Sequence, residues 1–198
     1  MGQRLVVTIN KNDKDLCKIY FHWSAYSHSA LRETRDIINC IYNGEDETED
    51  ALLLRLIRYC EENGGGIRAD DYEFNYIQAR YPNETFKKED YSRNYGLIAL
   101  SEKGMQDLQD WSEGDVTINL DTEKVENGVF GWYEYLEHYN DERAEWDDEF
   151  KPLTLDDIPD IGYDLGHFDI ADIDYVIEEM NKVAFICRYG NEIYDLYE

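Results

Sequence analysis

Residues 4–23 read RLVVTINKNDKDLCKIYFHW, and this stretch decides how the chain begins to fold. Arg4–Asn10 is apolar and rich in β-branched side chains, which favour strands. Residues 12–14 have the composition of a turn, and Cys17–Trp23 alternates between apolar and polar side chains. The sequence therefore predicts an N-terminal β-hairpin.

Two helices are predicted to follow the hairpin and to pack on it. Ser27 or Ser29 is expected to cap the first. Its inward face has the spacing of one helical stripe and comprises Ala30, Leu31, Thr34, Ile37, Ile38 and Ile41. Thr48 caps the second helix, and the glycines at 64–66 end it. The second helix is expected to turn Leu53, Leu54, Ile57 and Cys60 inward and to place Arg55 and Arg58 toward its C-terminal end.

The remaining segments predict a mixture of strands and helices. Helices are expected at Asp70–Arg80, Glu102–Trp111 and Ile170–Asn181, and strands at Tyr95–Leu100, Asp115–Leu120, Lys182–Tyr189 and Ile193–Tyr197. Residues 83–93 and 152–168 are expected to be loops. The predicted fold class is therefore α+β: an N-terminal β-hairpin with two helices, then a mixed strand and helix half with a C-terminal β-hairpin.

The negative charge is concentrated in the second half of the chain. Residues 1–100 contain 17 acidic and 13 basic side chains, whereas residues 101–198 contain 28 acidic and 6 basic ones. The net charge of −26 is thus divided into −4 and −22. This division predicts a near-neutral hairpin-helix scaffold at 1–94 and a strongly acidic α+β half at 95–198, with one continuous domain over 1–198 as the alternative.

The acidic half approaches the charge density of a nucleic acid. A folded chain of this mass exposes on the order of 10,000 Å², so its acidic half carries one net charge per roughly 220 Å². Duplex DNA carries one charge per ~1.7 Å of its axis, or roughly one per 110 Å² of its surface. Clustering strengthens the local field, and the clustered residues predicted to bind a partner are Asp141, Glu142, Glu145, Asp147, Asp148, Glu149, Asp156, Asp157, Asp160 and Asp164.

No pattern in the sequence identifies a reaction, a cofactor or a membrane segment. The four histidines include no i, i+4 pair for zinc, and Cys17, Cys40, Cys60 and Cys187 lie far apart among apolar neighbours. These cysteines are predicted to be free thiols in a cytoplasmic protein. The N-terminal apolar stretch is too short for a signal peptide, and no apolar run approaches the roughly 18 residues of a membrane span. We therefore expect a protein that is not an enzyme, holds no cofactor and does not bind a membrane.

Direct binding of nucleic acid is not expected, because affinity for phosphates depends on lysine and arginine. The basic side chains of the first half are expected to pair with nearby acids instead; they are Arg55, Arg58, Arg68, Arg80, Lys87, Lys88 and Arg93. The surface should therefore repel DNA and attract a basic protein.

The chain resembles the small nucleic-acid-mimicking inhibitors of phages and mobile elements, including anti-restriction and anti-CRISPR proteins. It is similar to them in size, in charge and in its richness in Tyr, Asp and Glu, mainly over residues 101–198. The resemblance is one of composition. It implies a stoichiometric inhibitor that blocks the nucleic-acid-binding groove of a host defence nuclease, such as a CRISPR effector, in the host cytoplasm. Two alternatives stay open: an adaptor for another basic protein, and an enzyme that uses a divalent metal at residues 156–174.

Overall fold

The computed structural model describes residues 4–25, 27–44, 48–89, 96–129, 140, 144, 149, 151, 152, 154, 170–180, 187–189 and 192–194. The strands are β1 Leu5–Lys11, β2 Lys14–Phe21, β3 Gly66–Arg68, β4 Lys88–Glu89, β5 Leu97–Ala99, β6 Gly114–Asn119, β7 Lys124–Gly128, β8 Ile170–Asp172, β9 Cys187–Tyr189 and β10 Glu192–Tyr194. The helices are α1 Ser27–Tyr42, α2 Glu49–Glu62, α3 Asp71–Arg80, α4 Glu102–Gln109 and α5 Ile173–Met180. The predicted α+β class is confirmed.

Eight of these strands form one sheet in the order β4-β3-β5-β2-β1-β6-β7-β8. The hairpin of β1 and β2 lies at its centre, where β1 also pairs in parallel with β6. The strands on the β2 side come from 66–99 and those on the β6 side from 114–172, so strands from both sides of residue 94 share the sheet. A separate two-stranded antiparallel sheet of β9 and β10 is the predicted C-terminal hairpin.

The central strand is buried on both faces of the sheet. Leu5, Val7 and Ile9 belong to one buried cluster with residues of α1, α2 and α5, whereas Val6, on the opposite face of the strand, belongs to a second cluster with residues of α4. Because helices cover both sides of β1, its sequence is almost continuously apolar instead of alternating. We call the first side the three-helix face and the second the α4 face.

The first helix has the inward face that its sequence predicts. Ala30, Leu31, Ile37 and Ile38 are fully buried, and so is Thr34. The Thr34 hydroxyl donates a hydrogen bond to the Ala30 carbonyl at 2.6 Å. A polar side chain is therefore tolerated in the core, because its hydroxyl bonds to the turn below it.

The predicted inward face of α2 is confirmed at Leu53, Ile57 and Cys60 and is wrong at Leu54. Leu52, Leu53, Leu56, Ile57 and Cys60 are buried, while Leu54 is only half-buried. The cap at Thr48 is confirmed, since its hydroxyl accepts the Ala51 N–H at 3.3 Å. Arg55 does not serve the C-terminal end of its own helix, because its guanidinium donates to the Cys40 and Ile41 carbonyls of α1 at 2.7 and 2.6 Å.

Three short strands lie where the sequence predicted other structure. β3 begins at Gly66, the last of the glycines expected to end α2, and β4 lies in the predicted loop at 83–93. β8 occupies the start of the predicted helix at 170–181, so that α5 begins at Ile173. Each strand has only two or three residues, too few for a periodic pattern, and depends on pairing with distant neighbours.

A buried carboxylate joins α3 to the start of α4. Glu73 is fully buried, and its Oε1 accepts the N–H groups of Leu100 and Ser101 at 2.7 and 3.2 Å. Its Oε2 accepts the Ser101 hydroxyl, which in turn accepts the Gly104 N–H at 2.9 Å. Glu73 and Ser101 thus satisfy N–H groups that the first turn of α4 leaves without helical partners.

We predict that Gly104→Ala destabilises the protein, although alanine normally favours a helix interior by about 1 kcal/mol over glycine. A Cβ at this position overlaps the Glu73 carboxylate, at 2.7 Å from Cδ, and lies 3.1 Å from the Ala99 Cβ. Displacing the carboxylate breaks its buried hydrogen bonds, so we expect a loss of about 2 kcal/mol in urea unfolding.

The matched measurement introduces Gly104→Ala into Glu73→Ala protein. With the carboxylate absent, the added methyl group should cost little beyond Glu73→Ala alone, which we expect to cost about 3 kcal/mol. Gln106→Ala on the exposed side of α4 should change stability by less than about 0.5 kcal/mol. An equal effect of Gly104→Ala in both backgrounds would contradict this account of the Glu73 contact.

Candidate interaction surface

Most of the residues predicted to bind a partner lie outside the described part of the chain. These are Asp141, Glu142, Glu145, Asp147, Asp148, Asp156, Asp157, Asp160 and Asp164. Glu149 is described and is exposed to solvent. The loop predicted at 152–168 is likewise described only at Pro152 and Thr154, which are both exposed.

The basic side chains of the first half are held by local partners, as expected. The ion pairs are Arg58 with Glu61 and Glu84, Arg68 with Asp107, Arg80 with Glu49 and Asp50, Lys87 with Glu89, and Lys88 with Asp71. Arg55 differs, because it binds the two α1 carbonyls described above. Arg93 lies outside the described residues. The positive charge of this half is therefore compensated close to where it arises.

Some acidic side chains of the second half are exposed and bond to neutral groups, although Glu113 and Asp107 form ion pairs, with Arg4 and Arg68 respectively. The Asp115 carboxylate accepts from Gln109 and Ser112 at 2.8 and 2.7 Å, and Asp110 accepts from Gln106 at 2.7 Å. Neutral donors orient a carboxylate without cancelling its charge. The excess of acid in the sequence is thus also an excess of negative charge on this part of the surface.

A groove beside the three-helix face combines acidic and aromatic side chains. It is lined by the last residue of α1, the turn between β6 and β7, the end of β8 and the start of α5, and has a volume of about 650 Å³. Tyr42 and Tyr175 are 50% and 40% exposed in it. Its acidic lining residues are Glu123, Asp172, Asp174 and Glu178. We call this cavity the Tyr42–Tyr175 groove.

The negative charge of the groove affects the pKa of the Tyr42 hydroxyl group. Partial burial raises the pKa of Tyr42, and the charges of Glu123 and Asp174 raise it further. Both carboxylates therefore act on the same ring, although they come from different elements. Neither makes an ion pair with any other described residue, whereas Asp172 lies 3.6 Å from Lys124 in an exposed pair.

The backbone holds the parts of the groove in fixed positions. The Ile173 N–H donates to the Glu123 carbonyl at 3.0 Å, which ties the first residue of α5 to the turn after β6. Ile173 and Val176 are buried in the core of the three-helix face, and α5 packs on α1. These contacts set the spacing between the two tyrosines.

Sequence reasoning did not find this groove. Tyr42, Glu123 and Tyr175 come from three segments far apart in the chain, and only packing brings them together. Asp172 and Asp174 belong to the acidic stretch considered for metal binding, but nothing in the stretch points to Tyr42. The available signal was a large aromatic residue at the exposed end of a helix.

Residues 156–169, which belong to the stretch considered for metal binding, lie outside the described part of the chain. Among the described residues, no group of three or more His, Cys, Asp or Glu side chains is placed to hold a metal ion. The His22 ring hydrogen-bonds to the Tyr20 hydroxyl at 2.8 Å, within the tilted and edge-on contacts of Tyr20, His22 and Trp23. Cys17, Cys40 and Cys60 are free thiols, and burial raises the pKa of Cys17 and Cys60.

No helix within the described ranges has the length and apolar character needed to cross a bilayer. Comparison with family models, with curated proteins and with solved structures finds no match for this chain.

We predict that the pKa of Tyr42 falls when the acidic residues beside it are neutralised. A carboxylate disfavours the tyrosinate form, so Glu123→Gln combined with Asp174→Asn should lower this pKa toward the ordinary value of about 10. The measurement is a pH titration of ¹³C-labelled tyrosine by NMR, with Tyr42 assigned from Tyr42→Phe. Glu126→Gln is the control, because Glu126 is exposed on β7 next to buried Val125 and is not among the groups that act on Tyr42. If the titration midpoint of Tyr42 stays the same when Glu123 and Asp174 are neutralised, the groove geometry is contradicted.

Proposed function

We propose that this protein is an acidic inhibitor that occupies the basic nucleic-acid-binding groove of a host defence nuclease, such as a CRISPR effector. It binds stoichiometrically as a mimic of DNA or RNA and carries out no reaction of its own. The observation that carries the proposal is the separation of charge. Arg58 and Arg80 pair with acidic side chains of the first half, whereas Asp110 and Asp115 of the second half are exposed and bond to neutral groups.

Charge at this density attracts a positively charged groove from a distance. Such steering speeds association and weakens as salt rises, because the interaction between exposed charges is screened over about 8 Å at physiological ionic strength. The same field disfavours nucleic acid itself. A basic protein is therefore the partner that the surface favours, and a DNA-binding or RNA-binding nuclease is the partner in which such binding has an inhibitory effect.

The rigid sheet supports this role. Exposed carboxylates of β6, of the β6–β7 turn and of α5 are attached to elements whose other face is buried in one core. A mimic must present charge without first ordering a flexible chain, since ordering costs about 1–2 kcal/mol per residue. We place its action in the host cytoplasm, where the free thiols of Cys17, Cys40 and Cys60 are expected to stay reduced.

We predict that the protein displaces nucleic acid from its effector and that charge reversal in the predicted acidic segments weakens this competition. The effector is first isolated by capture on this protein, and displacement of labelled nucleic acid is then followed by fluorescence anisotropy. Asp147→Lys with Asp148→Lys, or Asp156→Lys with Asp157→Lys, should weaken binding by at least about tenfold, and binding should weaken as salt rises.

The control reverses two exposed carboxylates of the first half. Glu62→Lys with Asp71→Lys changes the net charge by the same amount and should change affinity less than about twofold. Equal weakening by the control would indicate a general charge effect, and unchanged binding in both acidic-segment variants would contradict the mimic. Capture of a partner that keeps its nucleic acid would favour the adaptor alternative.

The metal-dependent enzyme is tested by thermal melting. A site that binds a divalent ion in the native state adds about 2.7 kcal/mol of stability at a hundredfold excess over its Kd. For a chain of this size that corresponds to a rise in Tm of roughly 5–10 °C. We expect Mg²⁺, Ca²⁺ or Mn²⁺ to change Tm no more than NaCl of equal ionic strength does. A larger rise, lost on neutralising Asp156, Asp157 and Asp160, would favour the enzyme.

A further inference from the structure

The Tyr42–Tyr175 groove has the size of a specific binding site. Its volume of about 650 Å³ lies within the range of roughly 300–1,000 Å³ that ligand pockets occupy. The two tyrosines have buried neighbours, Ile41 and Val176, which anchor the backbone on either side of the opening. Tyr42 and Tyr175 nevertheless stay 50% and 40% exposed, and a bound side chain would remove part of this surface from water.

The charges of the groove favour a cation. No lysine or arginine is among its lining side chains, while four carboxylates are. Glu123 and Asp174 in particular have no ion-pair partner among the described residues and act together on the Tyr42 hydroxyl. An anionic ligand would be repelled, and a neutral one would leave this field uncompensated.

Helix electrostatics accounts for only part of this acid. Asp174 lies in the first turn of α5, where a negative charge stabilises the helix. Glu123 lies in the turn between β6 and β7 and belongs to no helix, so the helix dipole does not account for its charge.

Arginine fits this combination better than the other cations. A guanidinium is planar, so it can lie against a tyrosine ring while its fork of donors reaches a carboxylate. A lysine ammonium is compact and strongly hydrated, and offers no flat surface to stack. A divalent metal would need several close carboxylates, and the described residues contain no such cluster.

We propose that the Tyr42–Tyr175 groove is a docking site for an arginine side chain of a basic protein partner. This inference rests on the proposed function, since it names a specific contact made with the nuclease, but it concerns other residues than those at 141–164. The acidic segments supply long-range attraction, and the groove fixes one arginine and with it the orientation of the complex.

The test uses two peptides of equal length built from glycine and serine, one carrying arginines and one carrying lysines. Binding to the full chain is followed by NMR of labelled tyrosine. We expect the arginine peptide to shift the Tyr42 and Tyr175 signals and to bind several-fold more tightly than the lysine peptide. Tyr42→Leu and Glu123→Gln should each weaken arginine-peptide binding roughly 3- to 10-fold.

Matched controls separate the groove from general attraction. Tyr76→Leu removes an exposed tyrosine of α3 with nearly the exposure of Tyr175, 41% against 40%, and Glu126→Gln removes an exposed carboxylate of β7. Both should leave peptide affinity within about twofold. Equal affinity for the two peptides, or equal weakening by Tyr76→Leu and Tyr42→Leu, would overturn the arginine site.

The two proposals fail separately. If the arginine peptide does not bind the groove while the protein still displaces nucleic acid from its effector, the arginine site is wrong and the mimic stands. If the peptide binds as expected but the protein displaces no nucleic acid, the groove is an arginine site of an adaptor.

Discussion

The burial of β1 on both faces is the constraint on which the described structure depends. Leu5, Val7 and Ile9 require the three helices of one face, and Val6 requires the α4 face. Because β1 pairs with β2 along one edge and with β6 along the other, it also joins the early and late strands of the sheet. Removing water from both sides of one strand thus fixes the positions of segments more than a hundred residues apart.

This core leaves the acidic residues no place except the surface. A carboxylate is buried only where hydrogen bonds replace its water, as Glu73 shows with donors from Leu100 and Ser101. Among the described residues, no comparable set of donors surrounds Glu123 or Asp174, and both are exposed. The packing that stabilises the fold therefore also determines where the negative field emerges, at the β6–β7 turn and the start of α5.

The sequence predicted the strongly periodic elements and missed what depends on distant partners. The hairpin, α1 and the Thr48 cap are confirmed because alternation, helical spacing and capping are local properties. β3, β4 and β8 were missed because two or three residues carry no period and become strands only through pairing. The acidic segments were visible as runs of charge, but the Tyr42–Tyr175 groove was not, since its residues meet only after α5 packs on α1.

The local pairing of the basic residues changes how the net charge should be understood. If arginines and lysines were spread evenly, a charge of −26 would be a diffuse field that falls off within a Debye length. Here Arg58 and Arg80 each pair with carboxylates of the first half, so much of the charge of that half cancels. The net negative charge therefore belongs mainly to the second half of the chain, −22 against −4, and is not spread evenly along the sequence. The field of this charge can orient a basic partner before contact, and an aromatic groove within it can then hold a single side chain by short-range stacking, an interaction that salt screens far less than it screens the field.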